Sequence, residues 1–406
     1  MIDALVIGGG QAGLAASYHL TEADCEHVVL ERDRVGERWR SEKWDSFTLV
    51  TPNWMNRLPG FPYRGDDPDG FLTREQVVAY LEDYVDHFDP PLRCGIEATS
   101  VRRNGSGFTV KTPAGSYEAA NVVVATGTFQ QPHVPEFSAD VPSTVRQLHS
   151  SRYRTPDRLP PGAILVVGSG QSGTQITQEL HEAGRDVYLS VSGAPKAPRR
   201  YRGRDFTRWL VDIGLEETVD DLDSPGDRFA PHPYVSGKDG GREIDLLEMA
   251  EEGMTLLGRT DGVEGDRLLL ADDLDESLRA SYETYGELTG GIDRYIEGAG
   301  IDAPPPDVSH PDADDLSFDT VGDLDLESAG IRTIVWATGY RFDFSWVEPA
   351  TFDEWGYPVH DRGVTDVPGL YFLGLHWLHT QASGLLVGVG EDAEHVSDHL
   401  LSRVSS

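Results

Sequence analysis

Lysine is nearly absent from this sequence: four occur in 406 residues, at Lys43, Lys111, Lys196 and Lys238. Cysteine is scarcer still. Cys25 and Cys94 are the only two. They lie far apart and in no C-x-x-C pair, which excludes a C-x-x-C redox centre and a disulfide framework. Positive charge is outnumbered, with 34 Lys and Arg against 69 Asp and Glu and a formal charge of -35. Such a surface repels nucleic acid and anionic membranes, so neither is expected as a partner. Scarce lysine beside so many carboxylates reads as adaptation to high salt, where screening removes the self-repulsion; an ordinary acidic protein is the plainer reading. No apolar run reaches the ~20 residues of a membrane span, and the chain opens on a strand-like run rather than a signal peptide. A soluble cytoplasmic protein acting on a small molecule is expected.

What is present is glycine in two similar places. Ala4 to Ile7 is a short apolar run, followed by Gly8-Gly9-Gly10-Gln11-Ala12-Gly13, a helical pattern to about Thr21, and a second apolar run ending at Glu31. Ala163 to Val167 repeats the theme, followed by Gly168-Ser169-Gly170-Gln171-Ser172-Gly173, a helix to about Ala183, and a strand to Val191. Each reads as a βαβ unit with a G-x-G-x-x-G turn. The first glycine permits the tight turn, the second lets backbone approach a pyrophosphate, and the third lets helix and strand pack. The helix N-terminus then offers free N–H groups to the phosphates.

The strand tips differ. Glu31, 18 residues past Gly13, can accept a ribose 2′-OH and would repel a 2′-phosphate. The second strand ends at Ser190-Val191-Ser192 with no acid, and Arg199, Arg200, Arg202 and Arg204 follow. That pattern suggests NADPH over NADH in the second unit; the plainer reading is that these arginines neutralise an acidic surface.

Elsewhere, Arg74 to Phe88 has helical spacing, Val101 to Tyr117 reads as a hairpin, and Asn121 to Ala125 as a buried strand. Asp273 to Gly298 reads as a helix, Ala303 to Asp315 as a linker, Thr333 to Ala337 and Gly369 to Leu373 as strands, and Ser383 to Arg403 as a last helix. The stretch from Ala194 to Asp239 resists assignment. The fold class expected is α/β, with two Rossmann-like dinucleotide-binding domains, the second inserted into the first. The expected boundaries are 1–155 and 316–406 for the outer domain and 156–315 for the insert.

Two such loops, in this order and about 160 residues apart, resemble the two-dinucleotide-binding flavoproteins. Further stretches resemble flavin-containing monooxygenases: Gly36-Glu37-Arg38-Trp39-Arg40 is similar to their Gly-x-x-Trp segment, Ala125-Thr126-Gly127 and Ala337-Thr338-Gly339 to their two linkers, and His149 to Arg154 to the end of their signature. Ser383-Gly384-Leu385-Leu386 resembles their C-terminal FAD-closing segment. The resemblance implies FAD in the outer domain, with Arg32, Arg38 and Trp39 near it, and NADPH or NADH in the insert. It implies hydride transfer and oxygen insertion through a C4a-hydroperoxyflavin into a soft nucleophile or ketone.

By that resemblance Asn53 and Gln381 would meet the flavin or its oxygen adduct, beside Ser383. Trp39, Trp54, Phe61, Trp377 and Leu378 would wall the pocket, and His149 would lie near the second nucleotide. Each of these is also a candidate for a merely structural role. His376-x-x-His379 has no third ligand at sensible spacing, so no metal is expected. Relatives of this kind commonly form homodimers.

One departure stands out. The family signature begins Phe-x-Gly, and Ser143 and Val145 occupy those places here. Two other readings therefore stay open: a reductase passing electrons to a quinone, a carrier or oxygen, and a flavin redox sensor without turnover.

Overall fold

The computed structural model describes residues 1–214, 217–306, 318 and 320–404. It begins with strand β1 (Ile2–Ile7), helix α1 (Gln11–Glu22), β2 (His27–Leu30), α2 (Glu37–Glu42) and α3 (Arg74–Phe88). A short β3 (Leu92–Arg93) and the meander β4 (Ser100–Asn104), β5 (Gly107–Thr112) and β6 (Gly115–Val124) follow. The chain then crosses to a second unit through β7 (Gln131–Pro132), β8 (Arg146–His149), β9 (Ala163–Val167), α4 (Gln171–Glu182), β10 (Val187–Ser190), β11 (Thr255–Leu257), α5 (Leu274–Ala299) and β12 (Ile331–Trp336). It returns through β13 (Tyr340–Arg341) to β14 (Leu370–Phe372) and the last helix α6 (Val389–Val404).

The first sheet runs β3-β2-β1-β6, where β6 divides its far edge. Residues 115–119 of β6 take β5 antiparallel, while Val122 to Val124 take β14 parallel. Strand β1 from Ala4 and β6 from Asn121 are buried, as a parallel sheet covered by helices requires, and α1 packs against α6 over it. The second sheet is wholly parallel, in the order β8-β12-β9-β10-β11.

The inserted two-sheet architecture matches the expected fold class. Strands β8 and β12 belong to the second sheet, whereas the sequence reading placed 146–155 and 316–336 in the outer domain. Strand β12 is apolar on both faces, so its pattern announces burial without saying in which sheet. The boundary expected at 315/316, and the linker beyond Pro306, lie outside the described residues. The last helix begins at Val389, not Ser383, because residues 380–388 form hydrogen-bonded turns that pack Gly388 against Ala382. Helices α3 and α5 fall where the spacing predicts, and α3 carries a Thr73–Gln76 capping box. No helix among the described residues is long and apolar enough to cross a membrane.

Candidate active site

The two glycine turns have the same construction. Gly8 N–H donates to Leu30 O at 2.8 Å, and Gly168 N–H to Ser190 O at 3.0 Å. Gly8 and Gly168 have φ of +115° and +103°, and a Cβ on either would press on the carbonyl of Ala125 or Ala337 at 2.5 and 2.7 Å. A Cβ on Gly13 or Gly173 would stand 1.8 Å from the carbonyl of Gly8 or Gly168. A Cβ on the middle glycine, Gly10 or Gly170, would meet nothing within 4 Å. That open space above each helix N-terminus is where a pyrophosphate fits.

At the first strand tip Glu31 accepts hydrogen bonds from Gly9 N–H (2.7 Å) and Asp33 N–H (2.9 Å). Its carboxylate is thereby held over the turn, where a ribose hydroxyl would reach it. Arg32 is exposed and pairs with Asp33. Gln11 Nε2 donates to Gly384 O at 3.1 Å, and Gly374 packs on Ala12. Both contacts tie the first helix to the C-terminal segment. Leu386 in that segment is buried and Leu385 exposed. In the second turn Ser169 and Ser192 exchange hydrogen bonds at 3.0 and 3.5 Å. The Gln171 amide is engaged by the backbone of Val235, and Ser172 is half-buried at the start of α4.

The two turns are brought together by the linkers behind them. Ala125 N–H donates to Ile7 O and Ala337 N–H to Val167 O, both at 2.8 Å. Each Ala-Thr-Gly segment thus leaves its own sheet directly beside its own glycine turn. The linkers then pair with each other as β7 and β13, with His133 N–H donating to Gly339 O at 2.9 Å and Thr338 Oγ1 to His133 O at 2.5 Å. Gln130 Nε2 closes on Gly127 O at 2.9 Å. At this crossover Phe129 and Tyr340 lie 5.1 Å apart, with His376 and His149 edge-on to them at 5.5 and 5.0 Å. A strap from the second unit covers the far side: Val219 N–H donates to His379 O and Gln381 N–H to Glu217 O.

Several expected site residues take other roles. Arg199 is 1% exposed; it pairs with Asp205 at 2.6 Å, donates to Val50 O and lies over Phe71. It is therefore an internal pair holding the insert to the 50–71 loop, not a free guanidinium for a 2′-phosphate. Arg200 is exposed and donates to Gly240 O. Asn53 is buried, with its amide bonded within its own loop to Asp67 O and Asn56. Gln381 faces His232 at 3.0 Å. Ser383 is fully buried and accepts from the N–H groups of His379 and Thr380, so it pins a turn. Phe61 packs on Tyr80, Tyr84 and His87, away from the crossover. Trp54 stacks under Arg208, and Leu378 is core. Trp377 is buried at φ +52°, a strained conformation for a bulky side chain. Trp39 and the crossover ring Phe129 both face the Lys43 ammonium, at 5.8 and 5.0 Å, and Arg38 lies beside Glu42 at 3.6 Å.

Burial disfavours the charged form of the crossover histidines. His149 Nε2 faces Gly339 O at 2.9 Å and its Nδ1 faces Ser151 N–H, so the proton is on Nε2. Burial lowers its pKa. Burial likewise takes His376 and His360 down to about 4. A buried neutral histidine favours the fold fully above the unfolded value near 6.5. Below that pH the unfolded chain takes up protons that the folded one refuses. Unfolding titrations are thus expected to show stability falling between pH 6.5 and about 4, by up to ~1.4 kcal/mol per pH unit for each ring. His376→Asn should flatten that slope, and an unchanged slope would contradict the assignment.

Comparison with known proteins bears on these features. Residues 5–215, which carry both glycine turns and the first linker, match the pyridine nucleotide-disulphide oxidoreductase family. The chain belongs to that family. This oxidoreductase is 34% identical over 408 residues to an uncharacterized oxidoreductase CzcO-like protein of Geobacillus kaustophilus, covering 99% of each chain. It is 30% identical over 200 residues to an indole-3-pyruvate monooxygenase of Arabidopsis thaliana, covering 47% of this chain and 48% of the other. Its fold is similar to a flavin-containing monooxygenase from Stenotrophomonas maltophilia, with a TM-score of 0.67, 20% identity and 99% coverage of both chains. The oxidoreductase carries no cysteine pair: both thiols are free, and burial pushes Cys25 up to about 11. Sequence reasoning assigns no site role to Lys43, Phe129, His232 or Tyr340. The signal for Phe129 was its place two residues after Ala-Thr-Gly.

Proposed function

We propose that the outer unit binds FAD, the insert binds NADPH, and the pair inserts one atom of O2 into a small soft nucleophile or ketone while the other leaves as water. The observation that carries this reading is the pairing of the two linkers, which sets two open glycine turns around one aromatic crossover. Bound flavin would supply hydride acceptance and oxygen activation; the protein's part is to hold and shield it. Gly10 and α1 would take the flavin's pyrophosphate and Glu31 its ribose. Gly170 and α4 would take the pyrophosphate of NADPH. Gln11, through Gly384, would hold the C-terminal segment over the first site. Phe129, Tyr340 and the strap at 217–219 would keep water from the reacting atoms. Relatives described as monooxygenases support the oxygen-inserting form.

A second reading, a reductase that passes electrons on without inserting oxygen, is favoured by Ser143 and Val145 in place of the family's Phe-x-Gly. Rapid mixing separates the two. Protein reduced anaerobically by NADPH is mixed with oxygen, and spectra are recorded. A persistent near-ultraviolet band, distinct from reduced and oxidised flavin, is expected. Immediate return of oxidised flavin with stoichiometric peroxide would sink the oxygenase reading and leave the reductase.

A further inference from the structure

The four lysines are not alike. Lys111 is exposed on β5. Lys196 lies 2.6 Å from Asp245, and Lys238 pairs with Glu182. Lys43 is half-buried at the end of α2. Among the described residues no carboxylate oxygen lies within 4 Å of its Nζ, and the neighbouring Glu42 is turned to Arg38. Three rings surround the ammonium instead: Phe129 at 5.0 Å, Phe47 at 5.3 Å and Trp39 at 5.8 Å.

Rings attract a cation without neutralising it, and a desolvated charge without a counter-ion is unfavourable. In a chain with 69 acidic residues a carboxylate partner would be easy to provide. Glu42, turned to Arg38, still attracts the Lys43 charge from a distance, and Arg38, also a cation, opposes it. The cage borders the crossover, because Phe129 is 45% exposed and its ring lies 5.1 Å from that of Tyr340. An otherwise acidic protein thus presents at this crossover an ammonium with flat apolar walls and, among the described residues, no carboxylate in ion-pair contact.

We propose that Lys43 anchors the substrate by a carboxylate, so that the site takes an organic acid with a flat apolar body lying against Phe129 and Tyr340. This rests on the oxidoreductase reading above only for the location of the chemistry. The ammonium supplies the charge-assisted hydrogen bond, and the rings supply contact area.

The test is calorimetric titration of the holoprotein with (phenylthio)acetate and with 2-(phenylthio)acetamide, which match in size and differ by one charge. Wild-type protein is expected to bind the acid at least ~10-fold more tightly. Lys43→Met should erase that preference, and Lys43→Arg should keep most of it. A wild type without the preference, or a preference that survives Lys43→Met, would overturn the proposal. So would an equal loss of NADPH affinity in Lys43→Met, since the ammonium would then serve the cofactor. Reduction of wild-type flavin by NADPH with neither compound present tests the oxidoreductase reading separately. Its failure would leave the acid-versus-amide comparison to be read on its own.

Discussion

Gly10→Ala is expected to yield a folded protein that holds its flavin less tightly, and Gly170→Ala a yellow protein that NADPH no longer reduces efficiently. Both glycines have ordinary extended backbone, with φ of -87° and -69°, which alanine adopts without strain. Neither added methyl meets a protein atom within 4 Å. The apo-proteins should therefore match wild type in stability to within ~0.5 kcal/mol. The methyl would instead enter the open space proposed for a pyrophosphate. Crowding of ~1–3 kcal/mol translates into roughly 5- to 150-fold weaker binding, read as flavin content for Gly10→Ala and as KM for NADPH for Gly170→Ala. Gly13→Ala makes the contrast. Its methyl would stand 1.8 Å from the Gly8 carbonyl, backbone that cannot move without opening the βα turn, so that protein should fail to fold. Normal flavin in Gly10→Ala would show that the turn does not hold the cofactor.

Arg199→Met should cost about 3–5 kcal/mol of stability, because it leaves Asp205 as a buried carboxylate without its cation. Asp205 also caps the following helix by accepting from Thr207 N–H at 2.9 Å, so the damage should extend to residues 206–213. Chemical denaturation reads the loss. The ratio of KM for NADPH to that for NADH should stay as in wild type. Had Arg199 served a 2′-phosphate, the outcome would be reversed: little change in stability and a rise in KM for NADPH alone. Arg199→Met with Asp205→Asn should recover part of the loss, since the stranded charge is gone.

That arginine illustrates where the sequence stops being legible. Both βαβ units could be read from their glycines because each glycine answers a local demand, a positive φ at Gly8 or a close approach at Gly13. Glu31 was legible for the same reason, being fixed by spacing from its turn. Whether Arg199 faces solvent or Asp205 depends on a loop from the other unit, through Val50 and Phe71, which no local pattern records. Strand β12 shows the same limit at the level of topology: its burial was plain, its sheet was not. The crossover residues Lys43, Phe129 and Tyr340 come from three segments far apart in sequence: the pairing of β7 with β13 brings Phe129 to Tyr340, and Lys43 reaches Phe129 from the end of α2. Ser383 and Asn53 were placed by resemblance, and their hydrogen bonds turn them toward their own loops.

The division of the far edge of β6 has a consequence for synthesis on the ribosome. All five strands of the inner sheet are present once residue 336 has emerged. The outer sheet must wait for β14, which starts 34 residues later at Leu370 (370 less 336), and for α6 to cover α1. Until then Val122 to Val124 present an open edge, and one face of α1 lacks its cover. The inner unit is thus able to fold while the chain is still attached, whereas the unit that begins with residue 2 is among the last to close. Its nascent form is the one that a chaperone or a neighbouring chain would meet.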